Sequence, residues 1–452
     1  MPETIKENKM GVMPVKRLII TMSLPMMISM LVQALYNVVD SIFVSRIGES
    51  ALTAVTLAFP LQNLMIALGS GTGVGINALL SRSLGEKNIK KSDAAANTGL
   101  LLTFLNFFIF LLIGLFATEP FIRSQTSDPV IIEYGTQYLS IICCFSFGIF
   151  FQMTFERLLQ STGKTIFSMV SQGIGAIINI IFDPLFIFGI GPFPELGVQG
   201  AAIATILGQV IASCIGLTCN IVFNKEIHFS PRKILRPKAD IIGEIYYVGV
   251  PSILMMSIGS IMTYLLNKIL NGFSPTAVAV FGVYFKIQSF FFMPIFGLNN
   301  GLIPVLAYNY GAKRKNRITE ALRFSVAIAL CVMLIGMVTF LAIPGLLLRM
   351  FNASEDMYSI GIAALRIICF SFPFAGLSII LSSVFQAFSK GFYSLIISIG
   401  RQLVVLIPVA WLLSMTGVLN LVWLAFPIAE LASLILSVCF FRKVYQESVE
   451  VL

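Results

Sequence analysis

Four polar side chains, Gln33, Tyr36, Asn37 and Asp40, interrupt the apolar run LVQALYNVVDSIF at 31–43. Their spacing of three and four residues puts all of them on one side of a helix. A carboxylate inside an apolar helix costs roughly 2.5–3.5 kcal/mol on insertion scales, so such a residue faces a cavity or a partner. A second acid, Asp183, follows Asn179 by one turn in NIIFDP, and the proline after it frees the carbonyl of residue 180. Two carboxyls facing one cavity titrate as a coupled unit. Such a unit, ionised on one side of a cycle and neutral on the other, carries a proton. Asn37 and Asn179 are expected to hydrogen-bond into that cavity. The bland alternative is two acids near an outer helix end, each wetted by an external loop.

The remaining candidates are few. Of 21 Asp and Glu, only Asp40, Glu156, Asp183 and Glu430 fall within apolar segments. Glu156, beside Arg157, reads first as a wetted helix end with a local ion pair. Glu430 is more isolated, with Arg401 and Lys286 as available basic partners, so it is either half of a structural pair or a charge that meets a substrate. Gln33, Tyr36, Asn37, Glu156, Lys286, Arg401 and Glu430 are therefore the expected cavity residues. The run GSGTGVG at 69–75 lacks the GxxxxGK[ST] pattern and follows no strand, so it reads as a close helix-packing face. Seven cysteines without a CxxC pair imply neither metal nor disulfide, and the single histidine, His228, leaves little material for nucleophilic or metal chemistry.

The elements that must position these groups are membrane helices. The chain of 452 residues is 57% hydrophobic and only 11% charged, against about 25% charged in soluble proteins. Long unbroken apolar runs select helices over a barrel. Twelve spans are expected, at about 18–44, 51–81, 94–117, 130–157, 166–190, 197–223, 245–270, 277–308, 318–343, 358–388, 393–414 and 419–441. With the N-terminus in the cytoplasm, twenty-three of the thirty Lys and Arg, Lys6 among them, fall on the cytoplasmic side. Only Arg46, Arg123 and Arg349 reach outer loops, which places both termini inside a plasma (inner) membrane. This distribution also accounts for the net charge of +9 without nucleic acid. The basic run 313–317 reads as a topology determinant with room for anionic lipid.

The chain also repeats. An offset of 226 residues brings Pro25 onto Pro251, Gln62 onto Gln288, Gly71 and Gly75 onto Gly297 and Gly301, Lys87 onto Lys313, and Lys164 onto Lys390. Six helices per half is an even number, so the halves share one orientation about an axis along the membrane normal. The expected organisation is an all-α membrane protein with bundles at 1–223 and 245–452 and a cytoplasmic linker at 224–244. A cleft between two such bundles suits a transporter.

At full length the sequence resembles the multidrug and toxic compound extrusion (MATE) antiporters. The runs SLPMMISMLVQALYNVVDSIFVSRIGESALTAVTLAFP, LGEKN, NIIFDPLFIFGIGPFPELGVQGAAIAT and IGRQLVVLIP carry the resemblance. It implies export of cationic or amphipathic small molecules by alternating access in exchange for H+ or Na+, with no other cofactor. It further implies coupling through Asp40, Asn179 and Asp183, with Thr205 as the match for a helix-six threonine. A second branch of the family holds sodium on acids of helices seven and ten. This sequence has no Asp or Glu at 245–319 or 357–429, so coupling is expected in the first bundle, with Na+ near Asp40 and Asp183 as the alternative ion. The expected partners are a drug-like small molecule and membrane lipid, with no nucleic acid, and the expected state is a monomer. A lipid or lipid-linked oligosaccharide flippase is the near rival, weakened by the scarcity of basic groups in the spans. A membrane enzyme acting on lipid is the distant one, since one histidine and no acidic cluster offer it no apparatus.

Overall fold

The computed structural model describes residues 8–350 and 354–451. Lys6, counted above with the basic residues, lies outside them. The long helices are Val15–Ser45 (α1), Glu49–Gly85 (α2), Ile89–Phe116 (α3), Pro129–Cys144 (α4), Phe147–Ser161 (α5), Thr165–Phe188 (α6) and Val198–Phe223 (α7). They continue with Ala239–Asn271 (α8), Pro275–Gly311 (α9), Lys315–Ala342 (α10), Glu355–Ile368 (α11) and Phe372–Ala387 (α12). The last three are Gly391–Ile399 (α13), Ile407–Ser414 (α14) and Ala425–Ser448 (α15), with α13 and α14 joined by the π turn Gly400–Leu406.

Among the described residues, eleven helical stretches are long and apolar enough to span a membrane, or twelve if the bent pair α4–α5 is one span. That pair is where 130–157 departs from a single helix. The axis turns by 45° between Cys144 and Phe147. Phe145 leaves helical geometry at φ −104°, ψ 20°, and the chain restarts where Gly148 lies against Val210 of α7. No proline marks the break; tertiary packing makes it.

Polarity runs inside-out. On α3, Phe104, Leu105, Phe108, Ile109 and Leu112 are exposed while Asn97, Thr103 and Asn106 are buried. The buried groups bond to neighbours, Asn106 Nδ2 to Thr72 Oγ1 at 3.1 Å and Thr103 with Thr154 at 2.6 Å. Apolar surface outward with polar groups paired inward is the arrangement lipid demands.

The chain forms two compact units. The first is Ile28–Ile253; the second takes the residues up to Met27 with those from Leu254 onward. Helices α1 and α8 each contribute to both, changing unit two residues beyond Pro25 and Pro251. Backbone detail repeats at the 226 offset. Lys87 and Lys313 both adopt φ 56°, and Gly163 and Ser389 both lie at positive φ. Each of these residues turns the chain between two helices.

In the first unit, α2 meets α8 through glycine. A methyl group on Gly75 would stand 2.1 Å from the Ile245 carbonyl oxygen, and one on Gly71 would stand 2.8 Å from the Gly249 oxygen. In the second unit the equivalent pair, Gly297 and Gly301, meets α1 at Met27 and Ser23, at 2.5 and 2.6 Å from their Cα atoms. Glycine is the one residue that admits these approaches.

Both segments that precede α1 and α8 are tied down. Asp93 and Asn97 hold residues 228–230 in the first unit: Asp93 Oδ1 accepts from His228 N at 2.9 Å, and Asn97 Oδ1 accepts from Ser230 N at 2.9 Å. In the second unit Arg317 Nη2 donates to the carbonyls of Met10 and Met13 at 3.0 and 2.7 Å, and Arg314 donates to that of Gly11. The basic run at 313–317 thus has a structural task, which its charge alone did not disclose.

Candidate functional site

Asp40 reaches the interior of the first unit from α1, and Asp183 from α6. Their carboxyl groups are hydrogen-bonded to each other. Ionised carboxylates only accept hydrogen bonds, so a bond between the two forms when one of them carries a proton. Asp183 is fully buried, and Asp40 Oδ1 is sealed with no donor among the described residues.

Asn179, one turn before Asp183, fixes the second acid. With its amide oriented to match donors to acceptors, Nδ2 donates to Asp183 Oδ2 at 3.2 Å. The oxygen then accepts from Thr205 Oγ1 and N, each at 3.2 Å. Asn179 and Thr205 are themselves buried. The four residues of the expected coupling set therefore form one contiguous cluster from α1, α6 and α7.

Tyr138, which the sequence did not single out, and Gln62, named there only for the repeat, lie beside it together with the expected Tyr36. Tyr138 of α4 is buried with its hydroxyl bonded to Gln62 of α2, and it lies within electrostatic reach of Asp40, Asp183 and Tyr36. Tyr36 sits one turn before Asp40 and faces both acids. Gln62 was visible as half of the Gln62/Gln288 repeat identity; Tyr138 carried no signal in its own neighbourhood.

The rest of the α1 face divides. Gln33 accepts from Gln172 Nε2 at 3.3 Å. Asn37 is exposed rather than turned toward the acids. Tyr36 and Asn37 are consecutive, about 100° apart, so a helix cannot aim both at one point.

Glu156 departs from the wetted helix end. It is 8% exposed on α5, with Gln152 Nε2 donating to it at 3.0 Å. Ile227 of the connection after α7 and Ile241 and Ile245 of α8 form one core with its neighbours Phe155 and Leu158, so these segments cover this end. Arg157 donates to Gln160 Oε1 at 3.0 Å. No contact joins Glu156 to Asp40 or Asp183 among the described residues.

In the second unit Glu430 pairs with Arg401 at 2.7 Å, while Lys286 is exposed and apart from them. Leu266, which occupies the Asp40 position in the repeat, is fully buried. The described residues hold no cluster of three or more His, Cys, Asp or Glu that could chelate a metal.

The family model MatE matches this chain twice, at residues 25–185 and 251–412, the two copies offset as the repeat is. The chain belongs to the MATE family. It is accordingly a multi-pass integral membrane transporter, not an enzyme. An FAD transporter of Shewanella oneidensis is 28% identical, with 92% of each chain covered. The multidrug export protein MepA of Staphylococcus saprophyticus is also 28% identical, over 89% of this chain and 88% of that one. Among solved structures, an outward-facing multidrug resistance MATE transporter of the MOP superfamily matches at TM-score 0.92 and 27% identity, covering 98% of this chain and 99% of that one. A MOP superfamily transporter from Pyrococcus furiosus matches at TM-score 0.91 and 28% identity over 98% of each. The all-helical fold is that of MATE transporters.

Proposed function

We propose that this MATE transporter is a secondary antiporter that expels cationic or amphipathic small molecules in exchange for protons. The supporting observation is the contact between two carboxyls, the half-buried Asp40 and the fully buried Asp183, braced by Asn179 and Thr205. The cluster holds a proton when closed and releases it when a substrate's charge, or water, reaches Asp40 Oδ1. One proton entering per uncharged or zwitterionic molecule expelled draws about 2.3 kcal/mol per 100 mV from the membrane potential, a gradient of roughly fiftyfold. Exchange against a monovalent cation is electroneutral and is driven by the pH difference alone. Sodium is the alternative ion at the same carboxyls. Both termini lie in the cytoplasm, on the strength of the basic-residue distribution.

A second reading follows from the relative named as an FAD transporter, whose substrate is anionic. It calls for unpaired basic groups along the path. Arg401 is committed to Glu430, which favours cations.

Efflux of the fluorescent cation ethidium from a drug-sensitive host tests the proposal. The expected result is efflux that collapses with a protonophore and drops to background in Asp40→Asn and Asp183→Asn. Efflux indifferent to both protonophore and sodium would remove the antiport reading.

A further inference from the structure

The Arg401–Glu430 pair exists in one repeat only. The 226 offset places Gly175 and Ala204 at the equivalent positions, so the pair is not a remnant of the duplicated fold. Arg401 stands in the π turn Gly400–Leu406, a rare and strained geometry that recurs at functional sites. Its Nη1 holds Glu430 Oε1 at 2.7 Å. The other carboxylate oxygen, Oε2, is buried with no donor among the described residues. Glu430 is 13% exposed and Arg401 28%, so the pair is neither dry core nor free surface.

The surroundings of Oε2 are specific. One turn further along α15, the buried Ser433 hydroxyl also lacks a partner among the described residues. One turn back on the same face, Phe426 meets the Tyr284 ring at a centroid distance of 5.8 Å. Tyr284 lies within electrostatic reach of Glu430, yet its hydroxyl donates to Gln288 Oε1 at 2.6 Å and is not available to the acid. A half-satisfied buried carboxylate is costly in the protein's own terms, and a native structure keeps one where a donor arrives from elsewhere. Glu430 Oε2 and Ser433 Oγ offer two acceptors one turn apart on α15, beside the buried contact between the Tyr284 and Phe426 rings.

We propose that Glu430 Oε2 and Ser433 Oγ form a binding site for a protonated amine in the second unit, with Arg401 holding the carboxylate in place and the Tyr284–Phe426 contact bounding it. The proposal rests on the cation-export reading and adds the ligand class: ammonium groups that carry an N–H. Arg401 is a positioning residue. Cations without an N–H are not selected here.

The experiment uses the full-length transporter in proteoliposomes with three probes: dansylcadaverine, which carries a primary ammonium; its uncharged N-acetyl derivative; and tetraphenylphosphonium, a cation with no N–H. Glu430→Gln is expected to raise KM for dansylcadaverine about tenfold or more, the loss of one charge-assisted hydrogen bond. The other two probes are expected to stay within about twofold. Ser433→Ala should raise the same KM about threefold. Removing Glu430 alone leaves Arg401 uncompensated and threatens folding. The double variant Arg401→Met/Glu430→Met removes both charges at similar volume and should show the same selective loss. An unchanged dansylcadaverine KM in the double variant, or an equal loss for all three probes, overturns the proposal. Protonophore sensitivity of tetraphenylphosphonium transport reports the Asp40–Asp183 reading independently, so failure of one is distinguishable from failure of the other.

Discussion

Asp40 and Asp183 belong to different helices, and each would be expensive alone in an apolar segment. In the proposed antiport their mutual contact turns two costs into one exchangeable proton. Asn179 is the brace: its amide satisfies Asp183 and Thr205 together. Asn179→Ala leaves a buried carboxylate oxygen unpaired, at a cost of about 1–3 kcal/mol. The expected outcome is a folded protein with at least tenfold lower proton-driven efflux, whereas Asn37→Ala, at an exposed position, changes efflux by less than twofold. Tyr138→Phe tests the same cluster from its other side; losing the bond to Gln62 is expected to slow efflux severalfold without loss of expression. Asp40, Asn179 and Asp183, proposed above as coupling residues, were legible because acids are rare in lipid and the Asn-to-Asp spacing is one turn, while Thr205 entered only through the family resemblance. Tyr138 was not, because a tyrosine in an apolar helix looks the same whether it faces lipid or an acid.

The helices themselves were legible from length and composition, since spanning the bilayer leaves the backbone few options. Their interruptions were legible only in part. The 45° break at Phe145–Ser146 carries no proline and depends on what packs alongside, whereas the π turn Gly400–Leu406 ends two residues before Pro408, which has no N–H for the carbonyl of residue 404. The glycine run at 69–75 could be read as a packing face, but its partner could not. It meets α8, while the equivalent glycines of α9 meet α1. A methyl group on Gly75 collides with backbone, which cannot move aside as a side chain does. Gly75→Ala is therefore expected to destabilise the detergent-solubilised protein by about 1–3 kcal/mol, and Gly301→Ala likewise. Gly243→Ala, where nothing lies within 4 Å, serves as the silent control. Thermal-shift midpoints would check all three, and equal stability of Gly75→Ala and Gly243→Ala would contradict the close approach.

For the whole molecule, duplication explains what is shared and divergence explains what is not. Turns at Lys87 and Lys313, and glycine contacts at matching positions, repeat almost exactly in backbone terms. The acids within the spans do not repeat: an acid pair occupies one half and an ion pair the other. Orientation is tested by labelling intact cells with an impermeant maleimide on a cysteine-free background. Ser127→Cys should react from outside and Lys238→Cys only after lysis; the reverse pattern would invert the assignment. The central claim, that Asp40 and Asp183 share a proton given up to substrate, is tested most directly by counting protons. Tetraphenylphosphonium added to purified transporter in weakly buffered solution is expected to release about one proton per molecule bound, and none from Asp40→Asn or Asp183→Asn. Undiminished release from both variants, or binding with no release from the native protein, would contradict it.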